Sequence, residues 1–239
     1  MPGISPENFS YKDYTARVFK NDEKYFRAIL PEYQQSYDWL MESGLYQKLI
    51  DEKLLIPHQE IDYVSYPGAY KVILPEQIEF LSLPFEWCYS QWRKVLLTYI
   101  EINLIALKYG MILKDATPYN FCLKAGKAIL FDSSSFSVFN EPDYWIAYRQ
   151  FCEEMLGPFA LMHYGGMRWG RLTQASHQGL PLDFICKNLD CILLYRQKKD
   201  ISFEMSLLFI RSLSSPGRNR TFILGTGNLH YHKMGLYWV

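Results

Sequence analysis

The sequence predicts an α+β chain folded as two lobes around a shared cleft. Three observations carry this. Residues 16–30 read as a β-prone hairpin, residues 90–109 as one long helix that is apolar around most of its circumference, and the text between them mixes helical and strand-like pieces. A small lobe is expected over residues 1–85, a helical lobe over 86–200, and a tail of weak periodicity over 201–239. The 239 residues are 49% hydrophobic and 17% aromatic, enough for a sizeable core and far from the composition of disordered chains.

Each element has its own signal. In 16–30, two short runs flank the turn-like Lys20-Asn21-Asp22-Glu23. From Pro31 the pattern becomes helical, with Tyr37, Leu40, Met41, Leu45, Leu49 and Ile50 at helical spacing and Gly44 as a break between two helices. Residues 63–83, punctuated by Pro67, Gly68 and Pro75, read as strands and connectors. In 90–109, Trp92, Val95, Leu96, Tyr99, Ile102 and Leu107 predict a buried helix, which Gly110 would cap. A short apolar run (111–113), a polar loop (114–120) and two strands around a turn at 124–127 follow, and then come Asp132 and a serine run. Residues 144–162 and 182–194 read as further helices.

Composition narrows the function classes. The charges balance, 25 basic against 25 acidic residues, so no global field draws the chain to nucleic acid. The apolar stretch 95–107 is interrupted by Thr98, Glu101 and Asn103, so no membrane span is expected. Five scattered cysteines form no CxxC pair, which argues against a zinc site. With no signal-peptide core at the N-terminus, a cytoplasmic protein is expected.

The chemistry concentrates in Leu113-Lys114-Asp115-Ala116-Thr117-Pro118-Tyr119-Asn120 and in Ile129-Leu130-Phe131-Asp132. An Asp followed five residues later by an Asn sets both side chains on one tight loop. The hairpin after it returns a second carboxylate to the same place. Phosphoryl transfer asks for such a set: a carboxylate to orient the attacking hydroxyl, and oxygen ligands that hold Mg²⁺ against phosphates. The plainer reading makes Asp115 and Asn120 turn residues and Asp132 a cap before the serines.

This order of helix, short strand, D-x-x-x-x-N loop, hairpin and apolar strand ending in Asp resembles the core of the protein-kinase-like superfamily. The resemblance implies a two-lobed kinase-like fold that binds Mg²⁺ and ATP, with Asp115 as the catalytic carboxylate and Asn120 and Asp132 as metal ligands. It departs from that pattern at Leu113 and Lys114, and at Ser133-Ser134-Ser135 after Asp132. It also lacks a Gly-rich phosphate loop, so the small lobe is expected to be degenerate. Arg27 in YFRAI and Lys71 in AYKVI are both candidates for the phosphate-binding cation, with Glu42, Glu52 or Glu60 as its helix partner.

A narrower resemblance rests on the words GLYQKLIDEKLLIPHQE, LPFEWCYSQW, ALKYGMILKDATPYNF, ILFDSSSF and YWIAYRQFCEEMLGPFALMHY. Over roughly residues 15–190 they are similar to the N-terminal region of bacterial proteins described as SAM-dependent methyltransferases, including nodulation-protein-like members. In that group a Rossmann-like methyltransferase domain follows. Here TFILGTGN (221–228) offers a strand and G-x-G, but only eleven residues remain after Asn228, short of a βαβ unit of about 30. SAM binding is therefore not expected, and a truncated or frame-disrupted member is. The expected partners are a nucleotide and a methyltransferase domain or partner protein. The alternative expectation is a non-catalytic accessory module of a methyltransferase.

Glu86 and Trp87 near the inter-lobe hinge, His163 and Arg149 read as structural, and the pair His230 and His232 as solvated.

Overall fold

The computed structural model describes residues 5–6, 14–140 and 145–196, with side chains from 14–140 and 145–192. The candidates TFILGTGN, His230 and His232 lie outside the described residues.

Strands β1 (Ser5–Pro6), β2 (Ala16–Asn21) and β3 (Lys24–Ile29) lead into helices α1 (Gln34–Glu42) and α2 (Leu45–Asp51), and β4 (His58–Ile61) and β5 (Lys71–Pro75) follow. The five strands form one antiparallel sheet in the order β1-β2-β3-β5-β4. The hairpin expected over 16–30 is β2–β3, and its turn holds Asp22 at φ +53°. Alternation sorts the sheet into two faces. Phe19, Phe26, Ala28 and Val72 bury one of them. Ala16, Ile29 and Ile73 bury the other, together with Tyr33 and with Tyr37 of α1. Arg27 stands directly opposite Ile73 and so points to this second face, toward α1. The break at Gly44 is real: φ is +86°, which ends α1 and starts α2.

Strand β4 is not legible as a strand, because His-Gln-Glu-Ile is polar. It lies at the sheet edge, where one side of the strand faces no neighbour and polar residues are tolerated. In the 63–83 stretch only β5 is regular structure.

The helical lobe begins with α3 (Tyr89–Lys108), a 20-residue helix that buries Trp92, Val95, Tyr99, Ile102 and Ala106. It matches the expected span 90–109, and Gly110 follows it at φ +71°. Next come β6 (Met111–Leu113), a 3₁₀ turn (Pro118–Asn120), β7 (Phe121–Lys124) and β8 (Lys127–Leu130). A second 3₁₀ turn (Ser133–Ser135) and β9 (Phe136–Val138) complete this part. The pairs β7–β8 and β6–β9 are small antiparallel ribbons.

A continuous helical run then passes through α4 (Tyr148–Gln150), a π-helical segment (Phe151–Leu156) and α5 (Gly157–Gly165), with α6 (Leu172–Ala175) and α7 (Leu182–Arg196) beyond it. In the π segment the Gly157 N–H donates to the Cys152 carbonyl, five residues back, while the Glu153 carbonyl that an α-turn would offer it accepts from the Leu180 N–H at 2.9 Å. No helix among the described residues is long and apolar enough to cross a membrane.

The two lobes share a core. Leu40, Leu45, Leu49 and Leu55 from the α1–α2 region pack with Trp92, Tyr99, Leu113, Phe136, Leu161 and Ile185. Backbone bonds reinforce this, because the Ile56 N–H donates to the Leu130 carbonyl and the Leu130 N–H to the Leu54 carbonyl, both at 2.9 Å. Strand β8, which leads to Asp132, is thus stitched to the chain just after α2.

Between α1, α2 and β4, His58 is enclosed by aromatic rings. Its Nε2 lies 3.1 Å from Tyr37 Oη, whose proton is donated to Glu60 Oε1 at 3.0 Å. Its backbone exchanges hydrogen bonds with Tyr46 Oη. Burial lowers the imidazole pKa from 6.5 to about 4, against the raising effect of Glu60 and with a smaller lowering from Arg27. The unfolded chain therefore binds more protons than the fold between those two values. The stabilisation is full above about pH 6.5 and is lost as pH falls toward about 4, a change of roughly 3 kcal/mol. In urea titrations across this range the wild type is expected to lose stability with acid, and His58→Gln to lose markedly less. Equal slopes for both would contradict the buried neutral imidazole.

Candidate nucleotide–metal site

Asp115 owes its place to polar anchors on both sides of β6. The Leu113 N–H donates to the buried Asn103 Oδ1 of α3 at 2.9 Å, and the Trp145 indole N–H donates to the Leu113 carbonyl at 2.8 Å. Tyr99 Oη donates to the Asp115 carbonyl at 3.2 Å. The loop then turns at Thr117-Pro118, where Thr117 Oγ1 caps the 3₁₀ turn that carries Asn120. Asn120 Nδ2 donates to Asp115 Oδ2 at 2.8 Å and to Ser135 Oγ at 3.1 Å. The Phe131 N–H donates to the Asn120 carbonyl at 2.9 Å, which draws the end of β8 to the loop.

Asp132 caps the serine turn as the plainer sequence reading expected, with its Oδ1 accepting from the Ser134 N–H at 2.8 Å and from Ser134 Oγ at 2.5 Å. It also does more. The same oxygen pairs with Arg27 Nη1, which reaches over from β3 and donates to Ser134 Oγ at 2.9 Å. The two side chains are only 10% and 16% exposed, so the pair is largely withdrawn from water. Tyr33 Oη, between β3 and α1, lies 3.1 and 2.9 Å from the Ser133 and Phe136 carbonyls and shares its proton between them. The Lys114 ammonium sits 4.6 Å from the Tyr33 ring centre and donates to Thr15 Oγ1.

Asp115, Asn120, Asp132 and Arg27 are therefore brought together. Lys71 is not: its ammonium pairs with Glu60 Oε2 at 2.7 Å and lies over the rings of Tyr37 and Tyr70. Of the three acids considered as helix partners of the cation, Glu60 stands on β4 rather than on a helix, and it serves Lys71. Glu52 pairs with Lys48 at the end of α2. Glu86 Oε2 accepts from the Leu83 N–H, Trp87 is buried, His163 meets Tyr89 Oη, and Arg149 pairs with Glu153, each a structural contact.

Two residues that sequence reading passed over hold the loop from behind. Gln150 Oε1 accepts from the Ala116 N–H at 2.9 Å, and Gln150 Nε2 donates to Glu154 Oε1 at 3.1 Å. Glu154 also bonds the Thr117 side chain. Its pKa is raised, first by burial and further by the nearby Asp115 charge, against those two hydrogen bonds. The available signal was the polar pair at i, i+4 inside the otherwise apolar word YRQFCEEML.

No protein-family profile matches the chain. The nodulation protein NoeA of Rhizobium meliloti (strain 1021) is 22% identical over 181 residues, 74% of this chain and 38% of the relative. The chain thus spans well under half the length of that relative. Solved structures that overlap it include the Cydia pomonella granulovirus kinase PK-1 (TM-score 0.37, 11% identity, 56% of this chain, 54% of the other). Vaccinia related kinase 3 overlaps at TM-score 0.35 and 10% identity, over 56% of this chain and 48% of the other. WbdD overlaps at 0.38 and 11%, over 86% and 49%. At these scores the overlaps are partial, and the α+β, two-lobed description stands on the element order and topology given above.

Replacing Gln150 with Ala removes the acceptor of the Ala116 N–H and leaves Glu154 one donor short. Hydrogen exchange at Ala116 is expected to speed up about tenfold or more, equivalent to losing roughly 1.4 kcal/mol of local protection. Glu154→Gln, which keeps an acceptor for Thr117, is expected to change it far less. Unaltered exchange in Gln150→Ala would remove Gln150 as the loop's anchor.

Proposed function

We propose that this chain is a kinase-like domain that binds a Mg²⁺–nucleotide between its lobes and transfers a phosphoryl group to an acceptor. The observation that carries this is the meeting of Asp115, Asn120 and Asp132, linked through the 2.8 Å Asn120–Asp115 bond and the Asn120–Ser135 bond into the Asp132 turn.

The residues suit the ion. Among the described residues every hydrogen bond to Asp132 falls on Oδ1 and both side-chain bonds of Asn120 come from Nδ2, which leaves Asp132 Oδ2 and Asn120 Oδ1 as the ligand atoms. No cluster of three or more His, Cys, Asp and Glu side chains among the described residues could enclose a metal. A site made of one carboxylate, one amide oxygen, phosphate oxygens and water fits Mg²⁺, which retains water and prefers oxygen donors. When bound, that ion would neutralise charge on the phosphates. In this reading Asp115 orients the acceptor hydroxyl and takes its proton, and Asn120 holds Asp115 in position while offering Oδ1 to the metal. Arg27, rather than Lys71, contacts phosphate, because Arg27 is the cation at the carboxylates.

The likeness to the nodulation protein NoeA accords with the nodulation-protein-like resemblance of the sequence, and on that resemblance the domain acts beside a methyltransferase domain or partner protein. SAM binding is not ascribed to the described residues. Cys122, Cys152 and Cys186 are buried and joined in no disulfide, in keeping with the proposed reducing cytoplasm.

An accessory module that binds nucleotide without turnover is the second reading, favoured by an Arg at the cation position and by the lack of a Gly-rich loop in the sequence. Arg27 is not a like-for-like replacement for a lysine.

Millimolar Mg–ATP is expected to raise the melting temperature by several degrees, as saturation near a hundred times Kd adds about 2.7 kcal/mol. Asp132→Ala, compared with its own ligand-free melt, is expected to show no rise. Absence of any shift in the wild type would overturn the reading. ATP consumption lost in Asp115→Asn would select the enzyme over the accessory module.

A further inference from the structure

Resting on the reading above, we infer that Arg27 and the divalent cation occupy Asp132 alternately, so that the metal site completes itself only when a polyphosphate draws Arg27 away.

The geometry behind this is specific. Asp132 Oδ1 already holds three donors, namely Arg27 Nη1, the Ser134 N–H and Ser134 Oγ. Arg27 is buried, and its guanidinium is seated between the second sheet face and the serine turn. A divalent ion ligated by Asp132 would meet this fixed positive charge at close range, in surroundings with little water to screen it. Arg27 nevertheless has somewhere to go. It projects from a β-strand on a long stem, and a di- or triphosphate offers a bidentate acceptor that guanidinium prefers to a carboxylate shared with two other donors.

The chain therefore exchanges partners. Phosphate takes Arg27, Asp132 is left with the Ser134 donors, and the cation completes the carboxylate. Each step keeps a charge opposite a charge, so neither Arg27 nor Asp132 is left unpaired in the cleft. Two consequences follow. Metal without nucleotide binds weakly, and a nucleoside lacking phosphates cannot strengthen it. The reciprocal holds as well, since equilibrium coupling between two ligands is symmetric.

Lys71 provides the contrast. It carries the same charge on the same sheet, but it is neutralised by Glu60 and makes its contacts with Tyr37 and Tyr70. Removing it is expected to leave the metal affinity of Asp132 nearly as it was.

The experiment is calorimetric titration of the full chain with Mn²⁺ as the probe, alone, with ATP and with adenosine. In the wild type, ATP is expected to tighten Mn²⁺ binding at least tenfold and adenosine to leave it unchanged, within the roughly 5- to 150-fold range of ordinary coupling. Arg27→Met, which keeps an apolar stem, is expected to bind Mn²⁺ alone about tenfold more tightly than the wild type and to bind ATP more weakly. Lys71→Met should follow the wild type. If Arg27→Met binds Mn²⁺ alone no better than the wild type, or if Lys71→Met gains as much, the exchange is overturned. Should Arg27→Met fail to fold, the wild-type titrations decide alone: adenosine promoting Mn²⁺ as well as ATP does would refute it. A wild type with no Mg–ATP thermal shift refutes the nucleotide site itself, a different outcome from a site that binds Mg–ATP without the exchange.

Discussion

The contact between Arg27 and Asp132 is the constraint on which the arrangement of the two lobes turns. It crosses from the middle of a sheet strand to the turn after β8, and it is largely shielded from water. Charges taken out of solvent in this way are costly unless matched, and removing one member of such a pair typically costs about 3–5 kcal/mol. The pair is matched further by Ser134, which bonds both members. Around it, Tyr33 grips the same turn through two carbonyls, and the Leu54–Leu130–Ile56 backbone bonds hold the strand that delivers Asp132. The seam between the lobes is consequently set by these polar contacts together with the shared leucine-rich core.

Much of the large lobe was legible in the sequence because its signals are local. A helix apolar around its circumference, a capping glycine, an Asp and Asn five apart, and a tight turn before a second apolar strand are all read from neighbours in the chain. The turn proves to hold Ala125 and Gly126 at φ +48° and +74°, a conformation suited to a two-residue hairpin. The choice between Arg27 and Lys71 was not legible. Both sit in short β-prone words, and both project from the same sheet face, since Arg27 lies opposite Ile73 and Lys71 opposite Ile29. What separates them is the neighbouring strand, whose Glu60 captures Lys71. That neighbour is β4, a polar edge strand with no hydrophobic alternation to announce it.

The other hidden feature is the rear support of the loop. Gln150 and Glu154 lie on a helical run whose middle is π-helical, and neither spacing nor polarity reveals that they serve the Ala116 N–H and the Thr117 side chain. Glu154 is half-buried among groups that bond it, close to Asp115, and is easier to protonate than an exposed glutamate. Two carboxylates on one short loop and its supporting helix are tolerable because a neutral amide, Gln150, stands between the helix and the loop. The wider helical turn in which Glu154 sits leaves the Glu153 carbonyl to accept from the Leu180 N–H.

The seam also has a meaning in time. Arg27 and Asp132 are 105 residues apart in the chain, and Tyr33 and Ser133 are 100 apart. At a synthesis rate of about 5–20 residues per second, the sheet waits roughly 5–20 seconds for the turn that neutralises its arginine. Contacts of such separation close late in folding as well, because the loop entropy must be overcome first. During that interval the β2–β3 hairpin carries Arg27 without the Asp132 carboxylate. A chain that stops short of Asp132 lacks the carboxylate that pairs with Arg27.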